Sequence, residues 1–201
     1  MSSPINDAAL DQMFRSARSR NAWHEKDVPE TLIKAAYELT KMGPTSANGS
    51  PARFYFVHSP AAKEKLKPFV MEANLAKTMA APWVVIFATD MKFFDKMDRL
   101  FPPKPEMGQM FAGMPAGLQA EHALRNATLQ AAYFMLACRS LGLDCGPMSG
   151  FDQAGVDQAF FAGDKEMGSW KSNFLCNVGY GSDTPFPRLP RLSFEEACRI
   201  A

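Results

Sequence analysis

The stretch AAYFMLAC, residues 131–138, decides the fold, because it is apolar on nearly every face of the helix predicted for residues 119–141. A helix of this kind is buried on all sides, either in a large core or in a subunit interface. A chain of 201 residues has limited room to bury it alone. The stretch therefore favours an interface with a second copy of the chain.

Four apolar stretches outside this helix are predicted to form strands, near residues 54–58, 83–89, 143–148 and 174–180. Helical patterns separate them, which indicates an α+β layer architecture but leaves the strand order open. No internal repeat, low-complexity tract or linker interrupts the pattern. We therefore expect a single domain over residues 1–201.

The overall charge and composition exclude several classes of protein. The net charge is +1, and no basic block or basic-aromatic stripe indicates nucleic-acid binding. The N-terminus lacks the pattern of a signal peptide, and the longest apolar runs are too short to span a membrane. We expect a cytoplasmic protein.

The cysteines and histidines give no metal or disulfide pattern. Four cysteines lie in apolar contexts without a CxxC pair, which favours reduced, packing thiols. His24, His58 and His122 have no HxH or HxxxH spacing and are expected to be exposed, so we predict no metal site.

Residues 43–53 are a candidate binding loop between a helix and the strand near 54–58. Gly43 suits the left-handed position that ends a helix, and Pro44 cannot continue one. The loop offers main-chain N–H groups, hydroxyls and a carboxamide. Taken alone, it can equally be an ordinary connection made of turn residues.

Two further segments carry polar side chains of interest. Arg18 and Arg20 flank Ser19 at the end of a helix predicted for residues 5–20, a pattern that can bind an anion or simply be a solvated basic helix end. Asn74 and Lys77 lie three residues apart, on one face of a short helix.

Residues 102–118 are rich in proline and glycine, which predicts an irregular loop. Methionine and phenylalanine side chains alternate with these residues. Such a loop suits a lid over a pocket, because methionine adapts its shape, although a disordered surface insertion is the alternative.

Five motifs in order resemble the nitroreductase family of FMN-dependent oxidoreductases, and the resemblance covers nearly the whole chain. They are RSRN at 18–21, GPTSAN at 43–48, Asn74-x-x-Lys77, LGLDCGPMSGF at 141–151 and RLPRLSFEEA at 188–197. The GPMSGFD and RLPRLSFEEA segments are similar to the branch that contains the malonic semialdehyde reductase of bacterial pyrimidine degradation.

The resemblance implies a nitroreductase-like fold, with a central, mostly antiparallel sheet flanked by helices. It also implies a homodimer built on a long central helix, with an FMN site on each side of the interface and residues of both subunits around each flavin.

By position, the resemblance implies FMN contacts from four segments of one chain. The phosphate and ribityl chain would contact Arg18, Ser19, Arg20, Arg188 and Arg191. The pyrimidine ring would contact Asn21, Asn74 and Lys77. The ring near N5 would contact Pro147, Met148, Ser149 and Gly150. The loop residues that would reach the partner's flavin are Pro44, Thr45, Ser46 and Asn48.

Three positions depart from the pattern of better-known nitroreductases. Those proteins have a basic residue at the position of Asn21, a carboxylate at that of Ser149 and a lysine at that of Phe186. The flavin's electrostatic surroundings are expected to differ, so the choice of substrate does not follow from nitroaromatic reducers.

The function implied is ping-pong hydride transfer from NADH or NADPH through flavin N5 to a small aldehyde, malonic semialdehyde, giving 3-hydroxypropanoate. No protein residue is required as nucleophile or general base. Two alternatives stay open: a nitroaromatic or quinone reductase on the same scaffold, and a flavin-binding module without catalysis.

Overall fold

The computed structural model describes residues 3–201. The helices are α1 (Asp7–Leu10), α2 (Glu30–Thr40), α3 (Pro60–Leu66), α4 (Glu72–Ala80), α5 (Met97–Leu100), α6 (Met107–Ala112), α7 (Ala116–Ser140), α8 (Gln153–Phe160) and α9 (Phe194–Ala197). The strands are β1 (Ala52–Val57), β2 (Trp83–Asp90), β3 (Asp144–Met148) and β4 (Trp170–Gly179). A π-helical turn spans Asp11–Arg15, and 3₁₀ turns span Ser46–Asn48, Lys67–Phe69 and Phe93–Lys96.

The four strands form one antiparallel sheet in the order β1-β2-β4-β3. This confirms the predicted α+β fold with an antiparallel sheet flanked by helices and a long helix, α7. Pro147 lies on β3, an edge strand, where a missing main-chain donor is tolerated.

Strand β2 lies inside the sheet, and every one of its residues is buried. On one face, Val85 and Phe87 belong to a core cluster with Phe134 of α7. On the other face, Val84 and Ile86 pack with residues of α8. Because both faces of the strand are covered, its sequence is a continuous apolar run and does not alternate between apolar and polar residues.

Helix α7 buries only part of its surface within one chain. Its buried side chains face the sheet and α2. Met135 and Leu136 are half-buried, and three leucines of the helix, Leu118, Leu124 and Leu129, are exposed. The expectation of a helix buried on all sides is therefore not met by one chain alone.

The first helix is shorter than predicted and ends in the π-helical turn at Arg15. Arg15 ion-pairs with Asp7 at 2.7 Å and with Asp11 at 2.6 Å, which holds this turn. Beyond it the chain runs beside β3: Ser19 forms a bridge with Cys145, and the Arg20 amide donates to the Cys145 carbonyl at 3.1 Å.

The prediction that residues 102–118 contain no regular element was wrong, because α6 lies within them and α7 begins at Ala116. Phe111 of α6 packs on Phe93 with ring centroids 5.2 Å apart, in a small core cluster that also holds Met97. This contact gives the segment an apolar anchor that local composition does not reveal.

Two of the histidines match their expected exposure and one does not. His24 and His58 are exposed, and His58 stacks on Trp83. His122 is half-buried and packs against the Phe111 ring, tilted, at a centroid distance of 4.7 Å. Burial is the main reason why the pKa of His122 lies below its ordinary value.

Candidate functional site

Four arginines, from three distant parts of the sequence, line one cleft of about 460 Å³. They are Arg18, Arg139, Arg188 and Arg191. The cleft lies between the N-terminal segment and the C-terminal tail; its lining also includes Ser19, Asn21 and the exposed rings of Phe14 and Phe186. We call it the arginine cleft.

The four guanidinium groups donate to main-chain carbonyls and, within residues 3–201, form no ion pair with a carboxylate. The acceptors are the carbonyls of Phe186 for Arg18, Met13 for Arg139, Ala17 and Arg15 for Arg188, and Leu189 and Pro190 for Arg191. No Asp or Glu lines the cleft either. The positive charge there is thus left for an external anion.

The bonds of Arg18 and Arg188 are reciprocal across the cleft. Arg18 donates to a carbonyl of the tail, and Arg188 of the tail donates to the Ala17 carbonyl at 3.1 Å. This pairing holds an otherwise exposed tail against the N-terminal segment and places both guanidinium groups at the same cleft.

Arg20 lies outside the lining of the arginine cleft. Its Nε is 3.4 Å from Asp144 Oδ1, and its Nη1 donates to the Asp183 carbonyl at 2.9 Å. The guanidinium also packs closely over Gly181. Its contact with a phosphate stays a prediction, and the ion pairs give Arg20 a role in joining β3 to the tail.

Asn21 connects the arginine cleft to α4. Its Oδ1 accepts a hydrogen bond of 3.1 Å from Lys77 Nζ. The structure therefore brings Asn21 and Lys77 together, although 56 residues separate them.

Helix α4 is held firmly behind Lys77. The Lys77 carbonyl accepts from Trp23 Nε1 at 3.0 Å and from Asn177 Nδ2 at 3.2 Å. Lys63 Nζ donates to the Met79 and Ala81 carbonyls at the end of the helix, and burial lowers the pKa of Lys63. These bonds satisfy carbonyls that a helix end would leave unpaired.

Asn74 contacts the turn after β3. Its Nδ2 donates to the Gly150 carbonyl at 3.1 Å. A Cβ on Gly150 would lie 2.4 Å from Asn74 Nδ2, and one on Gly146 would lie 2.6 Å from the Arg20 carbonyl. Both glycines thus make room for other parts of this chain.

The residues of the β3 turn divide between surface and core. Pro147 and Ser149 are exposed, whereas Met148 is buried and its sulfur accepts from Thr78 Oγ1 at 3.4 Å. A ligand beside this turn would meet the main chain of Met148 and not its side chain.

The loop at 43–53 is built differently from the sequence expectation. Gly43 is not in the left-handed region; a Cβ there would lie 2.2 Å from the Tyr133 ring, so close packing explains the glycine. The positive φ values belong instead to Ala47, Asn48 and Ser50. Such residues store strain that surrounding bonds must hold.

The hydrogen bonds that hold the loop at 43–53 come mainly from α7 and α5. The Ser46 amide donates to Asn126 Oδ1 at 2.8 Å, and Asn48 Nδ2 donates to the Leu100 carbonyl at 2.8 Å. Thr45 Oγ1 accepts from the Ser50 amide at 3.2 Å.

The loop lies against the middle of α7, whereas the arginine cleft lies at the C-terminal end of that helix. The loop bonds to Asn126 and, through the Pro44 carbonyl, accepts from Tyr133 Oη at 3.1 Å, while Arg139 lines the cleft. At about 1.5 Å per helical residue, these loop contacts lie roughly 9 to 20 Å along α7 from Arg139.

A second cationic cleft, of about 450 Å³, lies at the edge strand β1 and includes Lys41, Arg53, Lys96 and Arg99. We call it the β1-edge cleft. Arg53 Nη2 bonds Asp90 Oδ2 at 2.6 Å, and Lys96 Nζ lies 3.5 Å from the same oxygen. Its central charges are thus compensated by a carboxylate that is 1% exposed.

The environment of Asp90 favours its charged form. Burial, the largest influence, would raise the pKa of Asp90, but Arg53, the Ser169 hydroxyl, the Lys92 amide and Lys96 together lower it below the usual carboxyl value. The Ser169 bond measures 2.7 Å and the Lys92 bond 2.9 Å.

Within residues 3–201, no three His, Cys, Asp or Glu side chains are grouped in a way that could hold a metal ion. In that same range, none of the helices has both the length and the apolar character that crossing a membrane requires. Cys138, Cys145 and Cys176 are buried with free thiols, and Cys198 is exposed.

Arg139 is a member of the arginine cleft that the sequence did not indicate. It follows an apolar helical stretch, where a basic residue is readily explained by the helix dipole alone. Only the folded chain shows that it lines the same cleft as Arg18 and Arg188.

A profile described as the nitroreductase family matches residues 14–180. The chain belongs to the nitroreductase family. Two relatives, from Burkholderia lata and Stenotrophomonas maltophilia, are each 54% identical and are provisionally named NADH dehydrogenase/NAD(P)H nitroreductase; the alignments cover 98% of both chains and 100% of both chains, respectively. The crystal structure of an Exiguobacterium sibiricum nitroreductase, also provisionally named and in complex with FMN, superposes with a TM-score of 0.86 at 19% identity over 100% of both chains, a likeness of fold.

Proposed function

We propose that this chain is an FMN-dependent NAD(P)H oxidoreductase that reduces malonic semialdehyde to 3-hydroxypropanoate. The observation that carries the proposal is the arginine cleft, whose lining among residues 3–201 has four guanidinium groups and no carboxylate. A phosphate dianion fits this chemistry, because guanidinium groups bind phosphate through forked, charge-assisted hydrogen bonds.

The remaining predicted residues extend from the cleft in an order that suits a flavin. Asn21 and Lys77 follow the cleft directly, and Asn74 with Gly150 continues the wall along α4. A carboxamide can both donate to and accept from the edge of a pyrimidine ring. An ammonium group there stabilises negative charge on the ring.

Bound FMN would supply the hydride-transfer chemistry between NAD(P)H and the acceptor. The chain's own residues would bind and orient it: the arginines through the phosphate, and Asn74 and Lys77 through the ring. Because the flavin would carry the chemistry and the protein would bind and orient it, no protein nucleophile or general base is needed.

The proposal includes a homodimer in the cytoplasm. The loop carrying Pro44, Thr45, Ser46 and Asn48 contacts α7 at Asn126 and Tyr133, about 9 to 20 Å along the helix from Arg139 in the arginine cleft of the same chain. A second copy would bring its own loop to the ring end of the flavin. The exposed leucines of α7 supply apolar surface for such an interface.

Malonic semialdehyde is proposed from the resemblance of the segments at 146–152 and 188–197 to one branch of the family. A broad nitroaromatic or quinone reductase is the second candidate, and the names of the two curated relatives favour it. The two candidates share the cofactor and differ only in the acceptor.

Absorbance spectroscopy of the purified protein, after reconstitution with FMN, tests the cofactor. We expect a yellow protein with a bound-flavin spectrum that anaerobic NADH or NADPH bleaches. A protein that stays colourless after reconstitution would contradict the proposal.

Steady-state kinetics then separate the acceptors. The rate constant kcat/KM is compared for malonic semialdehyde, a nitrofuran and a quinone under the same conditions. We expect the aldehyde to give the highest value. A higher value for the nitrofuran or quinone would replace the first candidate by the second.

A further inference from the structure

Arg139 occupies a distinctive position in the last turn of α7. Its Nη1 donates to the Met13 carbonyl at 3.1 Å, and its own carbonyl accepts from Gln12 Nε2 at 2.7 Å. These bonds fix the side chain between the long helix and the N-terminal segment. The guanidinium then forms part of the lining of the arginine cleft.

Within residues 3–201, the buried Nε of Arg139 has no hydrogen-bond partner; the same is true of the Nε of Arg20, but that atom lies 3.4 Å from Asp144 Oδ1. A guanidinium has five N–H donors in a rigid fork, so Nε and one Nη group together suit two oxygens of a single anion. A buried donor without an acceptor is unfavourable and is normally satisfied in a native protein by some partner.

A purely structural role for Arg139 would be to neutralise the C-terminal end of the α7 dipole. That role needs a positive charge but no fork, and it does not need an unpaired Nε beside three other arginines. Some other arginines, such as Arg125 with Glu121, have a carboxylate partner. The lack of a carboxylate and the position of the side chain in the lining of the arginine cleft both indicate an external anion.

We propose that Arg139 binds the phosphate group of FMN and makes the cleft selective for phosphorylated flavin over riboflavin. This inference rests on the proposed function. The reciprocal pair Arg18 and Arg188 closes the cleft from the side of the tail, whereas Arg139 enters from the end of α7. The phosphate would therefore be contacted from two sides of the cleft, one formed by the tail and the other by the end of α7.

The test compares the binding of FMN and of riboflavin to wild type, two Arg139 variants and one control variant. Dissociation constants for FMN and riboflavin are measured by flavin fluorescence on apo wild type and on the Arg139→Met and Arg139→Lys variants. The matched control is Arg125→Met, which removes an exposed arginine from the same helix. Circular dichroism and Tm of each apoprotein establish that it is folded.

We expect Arg139→Met to weaken FMN binding by about 10- to 100-fold, the value of one charge-assisted contact, with riboflavin affinity changed less than about 2-fold. Arg139→Lys keeps the charge at the helix end and loses the fork, so it should weaken FMN binding by about 3- to 10-fold. Arg125→Met should change neither affinity.

Equal weakening of FMN and riboflavin in both Arg139 variants would overturn the inference, since it would show a structural role. Unchanged FMN affinity in Arg139→Met would overturn it as well, while leaving the proposed function intact. If wild type itself bound neither flavin, the proposed function would fail together with the inference.

Discussion

The arginine cleft and the β1-edge cleft have similar volumes and each contains four basic side chains, yet their charges are used differently. In the β1-edge cleft, Arg53 and Lys96 share the buried carboxylate of Asp90. In the arginine cleft, the guanidinium groups bond, among the residues that the structure describes, only to main-chain carbonyls. The first arrangement stabilises the fold, and the second leaves charge for a ligand.

The difference shows that counting basic residues does not locate an anion site. Whether basic residues form an anion site depends on whether a carboxylate of the same chain already compensates their charge. A compensated arginine should affect stability when it is removed, and an uncompensated one should affect binding.

The largest expected effect is on the arginine cleft. The Arg18→Met/Arg188→Met double variant should raise the FMN dissociation constant by about 100- to 1000-fold, because each side chain is expected to contribute a charge-assisted bond to the phosphate. Fluorescence titration of the apoprotein measures this. Wild-type affinity in the double variant would show that the phosphate binds elsewhere.

The next largest effect is on the β1-edge cleft. Arg53→Met leaves Asp90 buried without its 2.6 Å partner, which should cost about 3 kcal/mol of the free energy of unfolding. For a chain of this size the Tm should fall by about 6–12 °C. FMN affinity, normalised to folded protein, should stay within about 3-fold of wild type.

The opposite result for Arg53→Met would contradict the assignment of the β1-edge cleft to stability and of the arginine cleft to binding. If Arg53→Met kept the wild-type Tm and lost FMN binding, the β1-edge cleft would be the anion site. Calorimetry and fluorescence titration on the same samples separate the two outcomes.

A smaller effect is expected for the loop at residues 43–53. Asn48→Ala should weaken FMN binding by about 3- to 10-fold, in both sites of a dimer, if the loop reaches the partner's flavin. The bond from Asn48 to the Leu100 carbonyl is lost as well, so Tm is measured alongside. Unchanged FMN affinity would make the loop a connector only.

The smallest effect is a change in pH dependence. The pKa of Asp90 is lowered in the fold, so the stability that this ionised group contributes is present above about pH 4 and is lost as the pH falls through its folded pKa. In Asp90→Asn this part of the acid-induced loss should disappear. Arg188→Met should keep the wild-type slope, since it leaves Asp90 untouched.

Thermal unfolding between pH 5 and pH 2 measures these slopes. Equal acid sensitivity of wild type and Asp90→Asn would contradict the assignment of Asp90 as a stabilising ionised group. A flattened slope in Arg188→Met would indicate that the arginine cleft interacts with a carboxylate after all.

The sheet, α7 and α4 could be predicted from the sequence because apolar periodicity reflects local burial. The capping box of Ser193 and Glu196 also follows from the sequence pattern Ser-x-x-Glu, and both of its hydrogen bonds are present. Helix α6 was missed because Phe111 gains its partner, Phe93, only in the folded chain.

The site was predictable only in part. The resemblance indicated Arg18 and Arg188, and the structure brings them to one cleft. It also indicated Arg20, whose carboxylate partners, Asp144 and Asp183, lie more than a hundred residues further along the chain and cannot be found from local sequence.

Gly43 illustrates a different limit. Its place at a helix end suggested a left-handed backbone, whereas the structure requires the glycine for the ring of Tyr133. Steric demands from another helix leave no trace in the local sequence.

The crystal structure of the FMN-reconstituted protein would test the central claim most directly. The account predicts the phosphate within hydrogen-bond distance of the guanidinium groups of Arg18 and Arg188, in the arginine cleft. A phosphate bound at the β1-edge cleft, or outside both clefts, would contradict it.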